Sequence, residues 1–227
     1  MALPFEAVSL DVGGVLVVPD HGALAAVLLR ERVAFDRSAF GVGHYWAMAA
    51  VDAAASSPED FTDYLDGFLA AVGVPEAERA RAHGALADVL ATPIWCQPLP
   101  GARDGVRALA AAGLPLAVTS NSDGTIADHL RRHEWVQVGH GPGATVEVIT
   151  DSGVIGVGKP DPAMYEATVA GLGVPAARVL HVGDSVHYDV DGAAACGLQA
   201  VHMDPFGICP SQDHRHVRAL GEVLDLS

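Results

Sequence analysis

The chain has 227 residues, 28 acidic against 13 basic side chains, a formal net charge of −15, and a composition that is half hydrophobic but poor in aromatics. That length holds one good-sized domain, or one domain with a smaller insertion, around a core built largely from Ala, Val and Leu. The acidic balance and the lack of any basic run argue against a nucleic-acid partner, and no unbroken apolar stretch is long enough for a membrane span.

Met1–Phe5 lacks the charged and apolar regions of a secretory leader. Cys96, Cys196 and Cys209 form no CxxC pair and suit reduced thiols, with Cys96 and Cys196 expected as small buried apolar groups. A cytoplasmic protein is therefore expected. None of the eleven histidines has HExxH spacing, and His214 and His216, flanking Arg215, read as part of a solvated tail. The chain carries no signal for oligomeric state.

In chain order, Ala7–Val18 reads AVSLDVGGVLVV, an apolar run with Val8 and Leu10 that meets Asp11 and then Gly13-Gly14. Such a run predicts a buried strand with Asp11 at its carboxyl end, where open α/β sheets place their ligands. On this stretch alone, Asp11 reads equally well as a surface turn residue. Val15–Val18 stays apolar until Pro19 stops it. From about Asp20 to Leu90 the periodicity is helical, with Leu24, Val27 and Leu28, then Phe61, Tyr64, Leu65, Phe68 and Leu69 at i, i+3, i+4 spacing. Ser57-Pro58-Glu59-Asp60 predicts a helix start: a capping serine, a first-turn proline and acids at the positive end of the dipole. Gly73-Val74-Pro75-Glu76 closes that helix and opens another. Residues 20–92 thus read as a strand-free helical insertion, and the prolines of Thr92–Gly101 mark a linker.

From there the alternation is regular. Helices are predicted at about 102–112, 123–132, 162–171 and 190–196, and strands at 116–119, 146–150, 179–182 and 199–203. His133–Ala144, with its GHGPG, reads as a loop. Strands alternating with helices of this length predict a doubly wound parallel sheet with right-handed crossovers. The domains expected are an α/β core of residues 1–19 and 93–227 and a helical insertion of residues 20–92.

Such a sheet brings Asp11, Ser120, Asp184 and Asp189 to one edge, with Lys159 arriving from a loop. Three adjacent carboxylates repel one another, and one lysine plus one divalent ion would balance them. Mg²⁺ suits a few carboxylates completed by waters and a substrate phosphate. Thr119-Ser120-Asn121-Ser122-Asp123 leads into a helix start, offering a hydroxyl and backbone N–H groups to a phosphate. An Asp can serve as a nucleophile and form an aspartyl-phosphate.

These residues carry a resemblance. LDVGGVL with Asp11, TSN with Ser120, GKPDP with Lys159 and VGDSVHYD with Asp184 and Asp189 resemble, in order, the four motifs of the haloacid dehalogenase-like hydrolases. The resemblance implies a Rossmann-like core with an α-helical cap after the first strand that closes over the site. It implies a Mg²⁺-dependent hydrolase of small phosphate esters, with Asp11 as nucleophile. Ser120 and Lys159 would assist catalysis and, with Asn121, bind substrate. Asp11, the Gly13 carbonyl, Asp184 and Asp189 would hold the metal, Asp189 either directly or by orienting it.

One position departs from the pattern. Most phosphatases of the family carry an acid/base Asp two residues after the nucleophile, and here that residue is Gly13. Two other readings stay open: a 2-haloacid dehalogenase, against which Asp184 speaks, and a fold that binds its ion with little turnover. His187 reads as a substitute proton donor or a plain loop residue. Asp20-His21 reads as substrate-facing or as a helix cap, and His44, Tyr45 and Trp46 as pocket lining or insertion packing.

Overall fold

The computed structural model describes residues 3–56 and 61–226. The helix start expected at Ser57–Asp60 lies outside them. The chain divides into two compact units, one of Met1–Leu16, Leu99–Pro205 and Ser211–Ser227, the other of Val17–Pro98 and Phe206–Pro210.

The first unit opens with strand β1 (Ala7–Leu10). The second begins with β2 (Val17–Pro19), continues through helices α1 (His21–Arg30), α2 (Phe40–Ala54), α3 (Thr62–Ala71) and α4 (Glu76–Leu90), and returns as β3 (Trp95–Pro98). β2 and β3 pair antiparallel, with Val17 opposite Pro98 and Val18 opposite Gln97. The expected linker at Thr92–Gly101 is therefore in part a strand. Its prolines are compatible with this because Pro93 and Pro100 lie outside the ladder and Pro98 is its last residue.

The helical periodicity buries Leu24, Val27 and Leu28 on α1, and Tyr64, Leu65, Phe68 and Leu69 on α3, whereas Phe61 precedes α3 and is half-buried. Gly67 lets α3 approach α2 closely, since a Cβ there would stand 2.8 Å from Ala50 Cβ and 2.9 Å from Ala47 Cα. Asp20 is a helix cap, its Oδ1 accepting the Ala23 N–H at 2.6 Å. The backbone N–H of His21 donates to Gln97 Oε1 at 3.0 Å. His44 is packing: it is buried, with Nδ1 2.9 Å from the Tyr64 hydroxyl. Tyr45 is buried as well, whereas Trp46 is exposed.

The first unit resumes with α5 (Ala102–Ala111), β4 (Leu116–Ser120), α6 (Ile126–Arg132), β5 (Val136–Val138), β6 (Ala144–Val146), β7 (Val148–Asp151), α7 (Ser152–Ile155) and α8 (Pro162–Leu172). It ends with β8 (Val179–Gly183), α9 (Gly192–Ala195), β9 (Gln199–Met203) and β10 (Arg215–Val217). Six strands form one sheet in the order β10-β9-β8-β1-β4-β7, and every neighbouring pair is parallel. β1, β4 and β8 are buried along their whole lengths, as expected of parallel strands covered on both faces. The fold is the doubly wound α/β architecture that the alternation predicts.

Several elements differ from expectation. The supposed loop at His133–Ala144 holds β5, and its end opens β6; the two pair in parallel as a small second sheet. Buried Gln137 ties the turn between them, with Nε2 donating to Gly143 O at 3.0 Å and Oε1 accepting from Gly143 N–H at 2.8 Å. The helix expected from Asp123 begins at Ile126, because Asp123 turns back on itself to accept the Thr125 N–H at 3.0 Å. The helix expected at 190–196 is a wide turn over Val186–Asp191 followed by the short α9. The expected solvated tail contains the edge strand β10, where His216 pairs in register with His202 of β9. The cysteines are free thiols, but Cys96 and Cys196 are half-buried rather than buried.

A chain of polar groups crosses the interior of the sheet. Ser9 Oγ lies 2.8 Å from Thr119 Oγ1 and 3.0 Å from His181 Nδ1, and Thr119 Oγ1 lies 2.7 Å from Thr168 Oγ1. All four residues are buried. Removing a buried partner leaves the others desolvated and unsatisfied, at about 1–3 kcal/mol. Ser9→Ala should therefore lower unfolding free energy by about that amount. Urea denaturation in EDTA checks this; an unchanged midpoint would show the network contributes nothing.

Candidate active site

Three central strands end in polar residues at one edge. β1 leads to Asp11, whose N–H donates to Val182 O of β8 at 2.9 Å. β4 ends at Ser120, and Asp184 follows β8. From β1 the chain moves outward through β4 and β7, then returns to β8 on the other side of β1. Asp11 and Asp184 therefore flank the point where strand order reverses, the crevice in which such sheets bind ligands.

Lys159 enters from the loop between α7 and α8 and is buried. Asn121 holds that loop: its Oδ1 accepts the Lys159 N–H at 2.6 Å and its Nδ2 donates to Lys159 O at 3.1 Å. Both ends of the amide are thus engaged by the lysine backbone, so Asn121, expected at the substrate, positions Lys159. Gly158 permits the approach, since a Cβ there would stand 2.9 Å from Asn121 Oδ1.

The wide turn after β8, in which Val190 N–H donates to Ser185 O at 3.2 Å five residues back, carries Asp189 inward. Lys159 Nζ donates to Asp189 Oδ1 at 2.6 Å and lies 3.0 Å from Asp11 Oδ1. Asp189 Oδ1 also accepts from His181 Nε2 at 3.0 Å, and its Oδ2 accepts the Ser185 N–H at 3.1 Å. Carboxylate oxygens of Asp11, Asp184 and Asp189 all lie within 4.8 Å of one another. Gly14 makes room for this group. Its φ is +61°, and a Cβ there would overlap the Asp184 carboxylate.

The two carboxylates sharing Lys159 respond differently. Burial pushes Asp11 up to about 7, helped by the charges of Asp189 and Asp184 and opposed by Lys159. Burial also works against ionised Asp189, but the Lys159 charge and the His181 and Lys159 hydrogen bonds outweigh it and hold that carboxyl well below the usual range. The asymmetry follows from the donors, because Asp189 accepts from three groups. Burial raises the cost of a charged Lys159, yet its two acidic neighbours keep it protonated. Burial pushes His181 down, so the neutral ring donates from Nε2 to Asp189 and accepts the Ser9 hydroxyl at Nδ1.

Asp11, Lys159, Asp184 and Asp189 are thus brought together, and buried Ser120 stands at the end of the neighbouring strand. Of the N–H groups in Thr119–Asp123 expected to receive a phosphate, that of Ser122 is engaged elsewhere, as are two just beyond the stretch. Gly124 and Ile126 donate to the two oxygens of Asp151 at 3.0 and 3.1 Å, and Ser122 donates to Ser152 Oγ at 2.8 Å. His187 lies in the wide turn, its ring centroid 5.1 Å from that of Tyr188. Sequence reasoning missed His181, whose one visible signal is an imidazole inside an otherwise apolar strand.

A profile of the haloacid dehalogenase-like hydrolases matches residues 5–197. The chain belongs to that family. Within the haloacid dehalogenase-like hydrolases, it is similar to the human phospholysine phosphohistidine inorganic pyrophosphate phosphatase, 35% identical over 72 residues that cover 31% of this chain and 27% of that protein. It is likewise similar to a phosphoserine phosphatase of Thermus thermophilus, 36% identical over 67 residues covering 30% of this chain and 27% of that protein. Both matches therefore span only about a quarter of the relative's length. In fold it is similar to a phosphatase of the same family from Thermococcus onnurineus, with a TM-score of 0.59 at 17% identity over 97% of this chain and 96% of that one.

Without a metal ion, a raised Asp11 has a readable signature. The folded protein keeps this proton between the ordinary carboxylate range and about pH 7, whereas the unfolded chain loses it. Stability contributed by protonated Asp11 is therefore lost as pH rises through that window. Asn does not titrate. In EDTA, the stability of Asp11→Asn relative to wild type should rise from pH 4 towards about pH 7 and then level off. Thermal melts across pH check this, and a difference independent of pH would refute the shift.

Proposed function

We propose that this hydrolase is a phosphatase of small phosphorylated molecules, with Asp11 as its nucleophile and Mg²⁺ as its cofactor. The observation that carries the reading is the buried group of Asp11, Asp184 and Asp189 with Lys159 as the cation among them. With every group ionised, two negative charges remain; burial first, and then the charges of Asp189 and Asp184, raise Asp11 to about 7, and a divalent cation would offset both. Carboxylate and carbonyl oxygens suit Mg²⁺. Asp11, Asp184 and the main-chain carbonyl of Gly13 would hold the ion, while Asp189, already accepting from Lys159, His181 and Ser185, orients the site from behind.

The bound ion would offset charge on the phosphoryl oxygens. Asp11 attacks phosphorus: an Oδ–P bond forms, the bond from phosphorus to the leaving oxygen breaks, and water later cleaves the aspartyl-phosphate. Lys159 stays protonated and neutralises charge through both states, and Ser120 donates its hydroxyl to the phosphoryl group. A 2-haloacid dehalogenase of this family needs no metal, and Asp184 within the carboxylate group favours the phosphatase. Turnover should vanish in EDTA and return with Mg²⁺, and Asp11→Asn should lose several orders of magnitude because the covalent route is gone. A screen of phosphorylated metabolites and 2-haloacids, each with Mg²⁺ and with EDTA, decides. Halide release in EDTA would overturn the phosphatase reading.

Gly13 narrows the substrate class. A positioned general acid contributes about 10²–10⁴-fold, most where the departing oxygen is strongly basic. Glycine has no proton to give, so aryl, acyl and anhydride phosphates should turn over about 10²–10⁴-fold faster than alkyl esters. The pyrophosphate in the human relative's name is an anhydride of this kind. Rates measured against leaving-group pKa should fall steeply, and Gly13→Asp should flatten the slope. A shallow slope in wild type would show that another side chain supplies the proton.

A further inference from the structure

The first unit gathers a second set of ligand atoms, of different chemistry, at the opposite side of β8 from β4. His202 lies on β9, His216 sits beside it in register on β10, and His214 just precedes that strand. Ring centroids are 5.3 Å apart for His202 and His214, 5.2 Å for His202 and His216, and 4.5 Å for His214 and His216. One ring nitrogen from each lies within 4.8 Å of the others.

The surroundings fix where the protons are. His202 Nε2 lies 3.1 Å from the main-chain carbonyl of Asp184. A carbonyl only accepts, so this nitrogen carries the proton and Nδ1 keeps its lone pair. That Nδ1 lies 3.3 Å from His214 Nε2. His216 Nδ1 faces Oδ2 of buried Asp204 at 3.5 Å, an electrostatic contact that favours a proton on that nitrogen. Its Nε2 is left with the lone pair, and this atom is buried with no hydrogen-bond partner. Imidazoles whose outer nitrogens are held by a carbonyl and a carboxylate, with inner lone pairs converging, are arranged as metal ligands are.

We propose that His202, His214 and His216 bind one transition-metal ion of the zinc type, distinct from the ion of the carboxylate group. Imidazole nitrogens favour such ions and oxygens favour Mg²⁺, so the two sites select different metals in the same solution. Binding would displace the proton between His214 and His202. Because His202 also donates to the Asp184 carbonyl, the ion would steady the backbone that presents Asp184.

The test uses the full chain without a histidine tag, stripped with EDTA and returned to buffer with excess Mg²⁺. Zn²⁺ titration by calorimetry, with Co²⁺ absorption as a probe of nitrogen ligation, should show one equivalent bound. Loss of a ligand in His214→Ala, or of the orienting carboxylate in Asp204→Asn, should weaken Zn²⁺ by at least about tenfold. Asp11→Asn should leave it unchanged. Zn²⁺ should also raise the melting temperature of wild type but not of His214→Ala. His216→Gln provides a second ligand variant if His214→Ala does not fold. No binding, or binding that the folded ligand variant leaves unchanged, overturns the proposal.

Discussion

A buried ammonium between two buried carboxylates is the constraint on which the site depends. Lys159 touches Asp11 and Asp189 at once, and all three are withdrawn from water. A buried charge is tolerable only when it is paired and its remaining hydrogen-bonding capacity is met. Much of the local sequence serves that condition. Asn121 clamps the lysine backbone, His181 and the Ser185 N–H complete Asp189, and Gly183 stands where a Cβ would overlap the Asp189 carboxyl. The result is unequal partners: Asp189 accepts from Lys159, His181 and the Ser185 N–H, whereas Asp11 shares only Lys159 with it.

That division of labour explains how the two acids of VGDSVHYD differ. Asp184 leaves the strand directly and meets the backbone at Gly14, while Asp189 is swung back by the wide turn to lie beneath Lys159. In an ordinary helix, residues five apart lie on different faces; the wide turn, with Val190 reaching Ser185, carries Asp189 back instead.

The sheet and the four charged residues of the site were legible in the sequence because each charged group stands at or near the end of an apolar run. Strand alternation carries Asp11 and Asp184 to one edge, and the loop before α8 and the wide turn after β8 bring Lys159 and Asp189 to them. What was not legible depends on partners far away in the chain. The start of α6 is set by Asp151, from a neighbouring strand, so Asp123 looked like the helix start. The hold of the Asn121 side chain on the backbone of residue 159 was not legible because the two lie 38 residues apart. β5 and β6 are three residues each, too short for alternation to register, and are tied by Gln137. His214 and His216 looked solvated because His202 arrives from another strand.

The row of hydroxyls and imidazole inside the sheet also bears on how the strands find one another. Apolar strands of Val, Leu and Ala pair almost as well one step out of alignment, and little in their side chains penalises the error. Ser9 lies opposite His181 in the native alignment and also reaches Thr119. A slip of one residue turns Ser9 to the other face of β1 and leaves a buried hydroxyl, a threonine and a histidine without partners. The polar row thus acts as a key between otherwise interchangeable strands, and by enforcing their alignment it brings the ends of β1 and β8, and with them Asp11 and Asp184, side by side.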